Sequence, residues 1–330
     1  MRVSLSPKGF IPVFFVIAIC LLSACSTQTT AVPQPTKQVA GTILHSVIHS
    51  SGCGKAVSQP NGSSRNAALL SSGLKRSYRL HIPATYTAEN PQPLVLNFHG
   101  HGSTDTIQES STDMSKLADQ QDFIVVYPQG TVGLDQRTGW NTGPRTYPQV
   151  NDILFTNDLI THLEEALCIN PDRIYATGFS NGGGMTNVLA CKLSDRIAAF
   201  AIVSGAVHPM AGGCDPIRPV AILDIHGTND SVVPYHGNPA NDKEPPIPQW
   251  LDSWAKLDGC SSNPTVFIQQ PRLTAEKWTG CKGGARVIHY RIRNGIHIWP
   301  TSHNDYGTVN ATPIIWSFLK EYTLHTGQIA

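Results

Sequence analysis

RIYATGFSNGGGM, residues 173–185, decides how this chain is read. RIYAT is a short apolar run with strand character, and it leads without a break into Gly178-Phe179-Ser180-Asn181-Gly182. Asn181 to Leu193 then carries a helical pattern. A G-x-S-x-G pentapeptide is weak by itself, because a glycine-rich helix start with an N-capping serine uses the same letters. Between a strand and a helix it has the context that a nucleophile elbow requires. Such a turn holds the serine in a strained conformation, and its flanking glycines remove Cβ clashes. The Ser180 hydroxyl then stands above a sheet, where the N–H groups of the following helix converge.

A serine hydroxyl needs a base to take its proton, and the base needs an acid to orient it. In the chain order Ser, Asp/Glu, His, the acid follows a later strand and the base follows the next one. The strand reading of Val220 to Ile225 leads into His226-Gly227-Thr228-Asn229-Asp230, which makes Asp230 the acid; Asp224 lies inside the strand. Val287 to Ile292 leads into Arg293-Asn294-Gly295-Ile296-His297, which makes His297 the base ahead of His289 and His303. An oxyanion needs two donors. They are assigned to the backbone N–H of Asn181 and that of His101, with Gly102 as fallback, in the loop after PLVLNF (residues 93–98). His99-x-His101 resembles a metal pair, but no third ligand stands at motif spacing. The chemistry calls for neither a metal nor an organic cofactor.

The rest of the chain fits around this passage. Strands are read at 78–82, 93–98, 123–127, 173–177, 199–203, 220–225 and 287–292. Helices are read at 106–118, 152–167, 181–193, 247–257 and 313–322. Apolar strands without alternation, separated by helices, predict an α/β fold with a mostly parallel central sheet and helices on both faces. No repeat or composition break divides residues 40–330, so they are read as one domain. The 330 residues carry a net charge of +1, and only 14% are charged. That balance excludes a basic nucleic-acid-binding face and an acidic disordered chain.

Further segments make the resemblance specific. They are Ser51-Gly52-Cys53-Gly54-Lys55, PLVLNFHG, Gly139-Trp140-Asn141, RIYATGFSNGGGM, LAC before Lys192, HGTND with VVPY, and His297-x-Trp299-Pro300. Together, over about residues 51–322, the chain resembles the polyhydroxybutyrate-depolymerase-like esterases of the α/β-hydrolase fold, a family that includes secreted feruloyl esterases. The resemblance implies a triad at Ser180, Asp230 and His297, where the residues alone had placed it. One position departs from the family: Ile296 stands where members often have glycine.

The expected activity is hydrolysis of carboxylic esters through an acyl-enzyme, with feruloyl-type esters on plant polysaccharide such as xylan as substrate. Small acetyl or hydroxybutyryl esters are the alternatives, and a catalytically silent surface protein on the same fold is the non-enzymatic one. Erosion of a solid polyester usually takes an added adsorption module, whereas residues 298–330 read as a loop and closing helix. Trp140, Trp250, Trp254 and Trp299 can be core or platforms; Trp299, two residues from His297, is the substrate-binding candidate.

At the N-terminus, Arg2 and Lys8 precede the apolar run of residues 10–22, which is too short to span a bilayer. Leu22-Ser23-Ala24-Cys25 has the layout of a bacterial lipobox. Residues 1–24 are accordingly expected to be a signal peptide, Cys25 the lipid attachment point and residues 25–39 a tether. The protein is then expected to lie outside the cytoplasm, held to a membrane by its N-terminal lipid. Six cysteines remain, an even number that suggests disulfides in an exported chain. Cys260 and Cys281 flank one short segment and are paired first; the pairing of the other four stays open.

Overall fold

Leu94, Leu96 and Phe98 enter one hydrophobic core while Val95, between them, enters a second, and all four are fully buried. A strand apolar on both faces needs cover on both sides, which is why PLVLNF reads as a continuous apolar run rather than an alternating one. The computed structural model describes residues 49–143, 150–210, 212–238, 244–304, 309–325 and 327–328. The expected signal peptide, the tether and Cys25 lie outside the described residues. From Ser46 onward the chain is one compact unit.

In chain order the first strands are β1 (Ser63–Ser71), β2 (Leu74–Ile82), β3 (Gln92–Phe98) and β4 (Ile124–Pro128), followed by a small hairpin of β5 (Thr131–Val132) and β6 (Thr138–Gly139). Then come β7 (Ile169–Phe179), β8 (Ala199–Val203), β9 (Ala221–Gly227), β10 (Thr265–Gln269), β11 (Leu273–Trp278) and β12 (Val287–Ile292). The helices are α1 (Asp105–Thr112), α2 (Met114–Gln121), α3 (Asp152–Ala166), α4 (Asn181–Lys192), α5 (Ile247–Leu257) and α6 (Ala311–Leu319). Ten of the described strands form one sheet in the order β1-β2-β4-β3-β7-β8-β9-β12-β11-β10. From β4 through β12 every pairing is parallel. The flanking pairs β1–β2, β2–β4, β12–β11 and β11–β10 are antiparallel. Helices α3, α4 and α5 pack into the core on one face, and α2 and α6 into the core on the other.

The sheet is thus parallel in the middle, as expected, and wider than the sequence reading. β1, β10 and β11 were missed. β1 and β10 are largely exposed and carry mixed polar and apolar residues, so neither shows a buried-strand signature. The expected helix 106–118 is two helices broken at Asp113, which takes a left-handed conformation (φ 51°). Aspartate tolerates that region, and the polar run Ser110-Ser111-Thr112 before it offers side-chain alternatives to helical bonding. The Thr112 hydroxyl bonds back to Gln108 O at 2.8 Å.

Arg76 on β2 forms a buried pair with Asp152 at the start of α3 (2.7 Å) and lies over the Phe155 ring. Asp152 also accepts from Asn141 N (2.8 Å), so this ion pair fixes the loop carrying Trp140. Cys260 and Cys281 are joined, as expected. The other four cysteines, whose pairing the sequence leaves open, form Cys53–Cys168 and Cys191–Cys214. Three disulfides fit an oxidising compartment.

The Cys53–Cys168 bridge closes a separation of 115 residues, against 21 for Cys260–Cys281. On chain entropy alone the longer closure stabilises by about 1.5 kcal/mol more. Chemical denaturation of the two double Cys→Ala variants checks this; the Cys53/Cys168 variant should have the lower midpoint.

Candidate active site

Ser180, Asp230 and His297 follow the carboxyl ends of β7, β9 and β12, the edge where open parallel sheets gather ligands. Ser180 has φ 55° and ψ −119°, a strained conformation for a residue with a side chain. Its N–H donates to Val203 O (3.0 Å), and its carbonyl accepts from Gly184 N (2.9 Å) and Ala206 N (3.0 Å). The turn closes because a Cβ on Gly182 would lie 2.1 Å from Phe98 O, and one on Gly178 2.3 Å from Gly182 O. Only glycine lets α4 begin so near β3 and β7.

Asn181 opens α4, and its side chain is committed elsewhere. Its Oδ1 accepts from Trp140 N (2.7 Å), and its Nδ2 donates to Thr142 Oγ1 (2.8 Å). Its backbone N–H is the first of the helix and has no acceptor within it. The loop after β3 passes beside the serine: a Cβ on Gly100 would sit 3.3 Å from Ser180 Cβ. His99 is fully buried, donating through Nδ1 to Gly100 O (2.7 Å) and accepting at Nε2 from Gly130 N (2.9 Å). Burial lowers its pKa to about 4, so the ring is neutral. The Gly100 carbonyl is thereby fixed, and the next N–H, that of His101, points the opposite way across a trans peptide. Gly102, the fallback donor, gives its N–H to Thr138 O (2.7 Å). The His101 ring reaches Asp135, with 2.8 Å between Nε2 and Oδ2. Among the described residues no group of three or more His, Cys, Asp or Glu could hold a metal ion.

His297 and Asp230 meet: Nδ1 to Oδ2 is 2.7 Å. Asp230 Oδ1 accepts from the N–H groups of Val232 (2.9 Å) and Val233 (2.8 Å). Burial pushes this carboxyl up, but hydrogen bonds from His226, His297 and Val233 outweigh it and hold the group well below the usual carboxylate range. The two loops come together because Gly227 and Gly295 pass in contact; a Cβ on Gly227 would lie 2.3 Å from Gly295 O. Thr228 N to Ile292 O and Asn229 N to Gly295 O, each 2.9 Å, lace them. The departure at Ile296 is accommodated here. Asn294 takes the positive φ (59°), Gly295 makes the close approach, and Ile296 is exposed. The Phe179 ring packs against that of His297, tilted by 37° with centroids 4.7 Å apart.

The competitors lie elsewhere. His289 is buried against Asp224 (Nδ1 to Oδ2, 2.8 Å), and His303 is exposed at the rim of the cleft. That cleft, about 890 Å³, is lined by Ser180, Asn181, His101, His297, Phe179 and Trp299, among others. Trp299 forms wall rather than a projecting platform, being 4% exposed with its indole N–H on Thr312 Oγ1 (3.0 Å). Trp140, Trp250 and Trp254 are core. Sequence reasoning missed His208 and Glu244, buried or nearly so on the cleft wall (Nε2 to Oε1, 3.7 Å), because neither stands in a motif.

No protein-family model matches the chain. An acetyl xylan esterase from Aspergillus awamori superimposes with a TM-score of 0.58 at 15% identity, over 74% of this chain and 97% of its own. A thermostable esterase gives 0.53 at 16% identity, over 79% and 63%. With the strand order and the turn at Ser180, these define an α/β-hydrolase. Feruloyl esterase D of Neurospora crassa is 30% identical over 264 residues, covering 75% of this chain and 82% of that protein. A probable feruloyl esterase C of Aspergillus niger is 32% identical over 260 residues, covering 76% and 83%. The chain belongs to the feruloyl esterase family of α/β-hydrolases. Feruloyl esterase B of Piromyces equi is 31% identical over 264 residues, 76% of this chain, but the match spans only 46% of that longer protein.

Gly227→Ala should force the Asp230 and His297 loops apart. The expected result is a fall in ester turnover of at least about tenfold in a protein that still melts cooperatively, read by steady-state kinetics beside a thermal scan.

Proposed function

We propose that the protein is a serine carboxylic ester hydrolase with Ser180 as nucleophile, His297 as general base and Asp230 as the acid that orients it. The observation that carries this reading is the 2.7 Å bond from His297 to Asp230 beside the strained turn at Ser180. Ser180 Oγ attacks the ester carbonyl carbon as His297 takes its proton. The negative charge on the carbonyl oxygen is met by the N–H groups of Asn181 and His101. The tetrahedral adduct collapses, His297 gives its proton to the departing alkoxide, and an acyl-serine remains. Water then attacks this ester through the same base, releasing the carboxylic acid and restoring Ser180. None of these steps calls for a metal or organic cofactor.

Feruloyl groups esterified to plant polysaccharide such as xylan are the proposed substrate. Family membership supports this, and the cleft volume suits an aromatic acyl group with part of a sugar. Trp299 and Phe179 give the cleft apolar wall near the base. We further propose that residues 1–24 are a lipoprotein signal peptide, that residues 25–39 tether the hydrolase domain of residues 40–330, and that a lipid on Cys25 holds the protein to a membrane at the cell envelope.

Ser180→Ala should lower turnover at least about a thousandfold, without loss of fold, and abolish labelling by a serine-reactive phosphonate. Activity above about a tenth of wild type would remove Ser180 from the role. Methyl ferulate, acetylated xylan and a hydroxybutyrate oligomer, compared by kcat/KM, test the substrate; the expected order puts methyl ferulate first. If it is inert while the hydroxybutyrate oligomer turns over, the feruloyl assignment fails and the esterase stands. For the anchor, mass spectrometry of the mature N-terminus should find a lipidated Cys25, and Cys25→Ser should leave the membrane fraction.

A further inference from the structure

Next to Asp230 lies a buried imidazole that the reaction above leaves unused. His226, on β9, is fully buried. Its Nε2 lies 2.9 Å from Val233 O. A carbonyl can only accept, so that nitrogen carries a proton. The same Nε2 is 3.5 Å from Asp230 Oδ2, the oxygen that meets His297. Val233 in turn donates its N–H to Asp230 Oδ1 at 2.8 Å. His226 therefore reaches the carboxylate twice: directly, and through the loop that cradles its other oxygen.

We propose that His226 is a positioning residue for the acid: its Nε2–H anchors the Asp230–Val233 loop and, shared toward Asp230 Oδ2, limits how strongly that oxygen holds the proton of His297. The proposal rests on the assignment of Ser180, His297 and Asp230 as the triad. A buried ring whose only task is to fill space needs no donor toward a carboxylate; His226 Nδ1 has no hydrogen-bond partner among the described residues, so Nε2 alone ties the ring to its surroundings, and burying it is costly unless that bond is made. In low dielectric a donor proton beside a carboxylate oxygen spreads its charge and makes it less basic. Burial alone would push the His226 pKa down, yet the neighbouring Asp230 and Asp224 carboxylates outweigh it and raise it.

The charged surroundings of His226 come from three strands and the acid loop. On its own strand stands Asp224, which faces His289 of β12. Tyr235, beyond the acid loop, has its ring 6.0 Å from that of His226 and its hydroxyl 3.0 Å from His289 Nε2. Arg291 is opposite His226 in the β9–β12 register, and Glu276 of β11 is opposite His289. Removing the His226 donor leaves these groups in place and makes Asp230 more basic, which stabilises the protonated form of His297.

The test is the pH dependence of kcat and KM for a 4-nitrophenyl ester. His226→Phe should lower kcat about tenfold with KM within about twofold, and move the acid limb of kcat/KM upward by at least about half a pH unit. His226→Gln places an amide donor near the Nε2 position and should recover most of kcat with an acid limb near wild type. His226→Asn places its donor near Nδ1 instead and should not. Should His226→Phe fail to fold, the Gln and Asn pair decides: equal profiles overturn the proposal. A folded His226→Phe with wild-type kcat and acid limb overturns it as well. Ser180→Ala run alongside keeps the two readings apart. If it is inactive while His226→Phe is unperturbed, only this inference is lost; if it is active, the triad assignment is lost too.

Discussion

The contact between the start of α4 and the end of β3 is the constraint on which the rest of the site depends. Gly182 lies so close to the Phe98 and His99 carbonyls that no Cβ fits there, and Gly178 is as close to Gly182. This approach leaves Ser180 no relaxed backbone conformation. A residue held so is destabilised by roughly 1–3 kcal/mol unless its surroundings over-determine it. Three backbone hydrogen bonds, to Val203, Gly184 and Ala206, do so. The same closeness brings Gly100, and with it the His101 peptide, beside the serine. One packing contact therefore sets Ser180, the proposed nucleophile, and the proposed oxyanion loop together, and neither can shift without the other.

A second pair of glycines repeats the device farther along the same carboxyl edge of the sheet. β9 and β12 are parallel neighbours, so their carboxyl ends emerge side by side. Gly227 and Gly295 let the two exits touch, and the lacing bonds keep them so. Because the loops meet at their bases, Asp230 and His297, each a few residues beyond, are carried into register. Ile296 can then differ from glycine without cost, since the unusual backbone is taken up by Asn294 and Gly295 and its own side chain faces solvent.

Ser180, Asp230 and His297 were legible in the sequence because each follows an apolar strand that needs no other information to be recognised. Their strands, β7, β9 and β12, are read from RIYAT, VAILDI and VIHYRI, and the chain order of the three residues does the rest. β1 and β10 were illegible for the opposite reason: their pairing is real, but their burial is slight, so the pattern that marks a strand is absent. The break at Asp113 depends on one left-handed residue inside a polar stretch that a helix could equally accept. Cys53 pairs with Cys168 across 115 residues, a proximity created by the fold rather than by spacing. Trp299 looked like a platform from its distance along the chain to His297, whereas its indole is turned toward Thr312. His226 stood in plain view inside HGTND, but nothing in the letters says that its ring turns inward toward the acid.

Two buried aspartates on and after β9 show how local partners separate structure from chemistry. Asp224 sits in the strand and faces His289, whose other nitrogen is engaged by Tyr235. That imidazole is enclosed on both sides and has no route to a substrate. Asp230 sits beyond the strand end, where two backbone N–H groups hold one oxygen and leave the other for His297, a residue on the wall of the cleft. Burial would tend to protonate such a carboxyl, and a protonated acid could not stabilise an imidazolium. The donors converging on Asp230 reverse that tendency and keep it ionised. Asp230 is therefore suited to its proposed role less by its distance from the serine than by the number of N–H groups that face it, and apart from His297 itself, His226 is the one among them that a substitution can remove without touching the loop backbone.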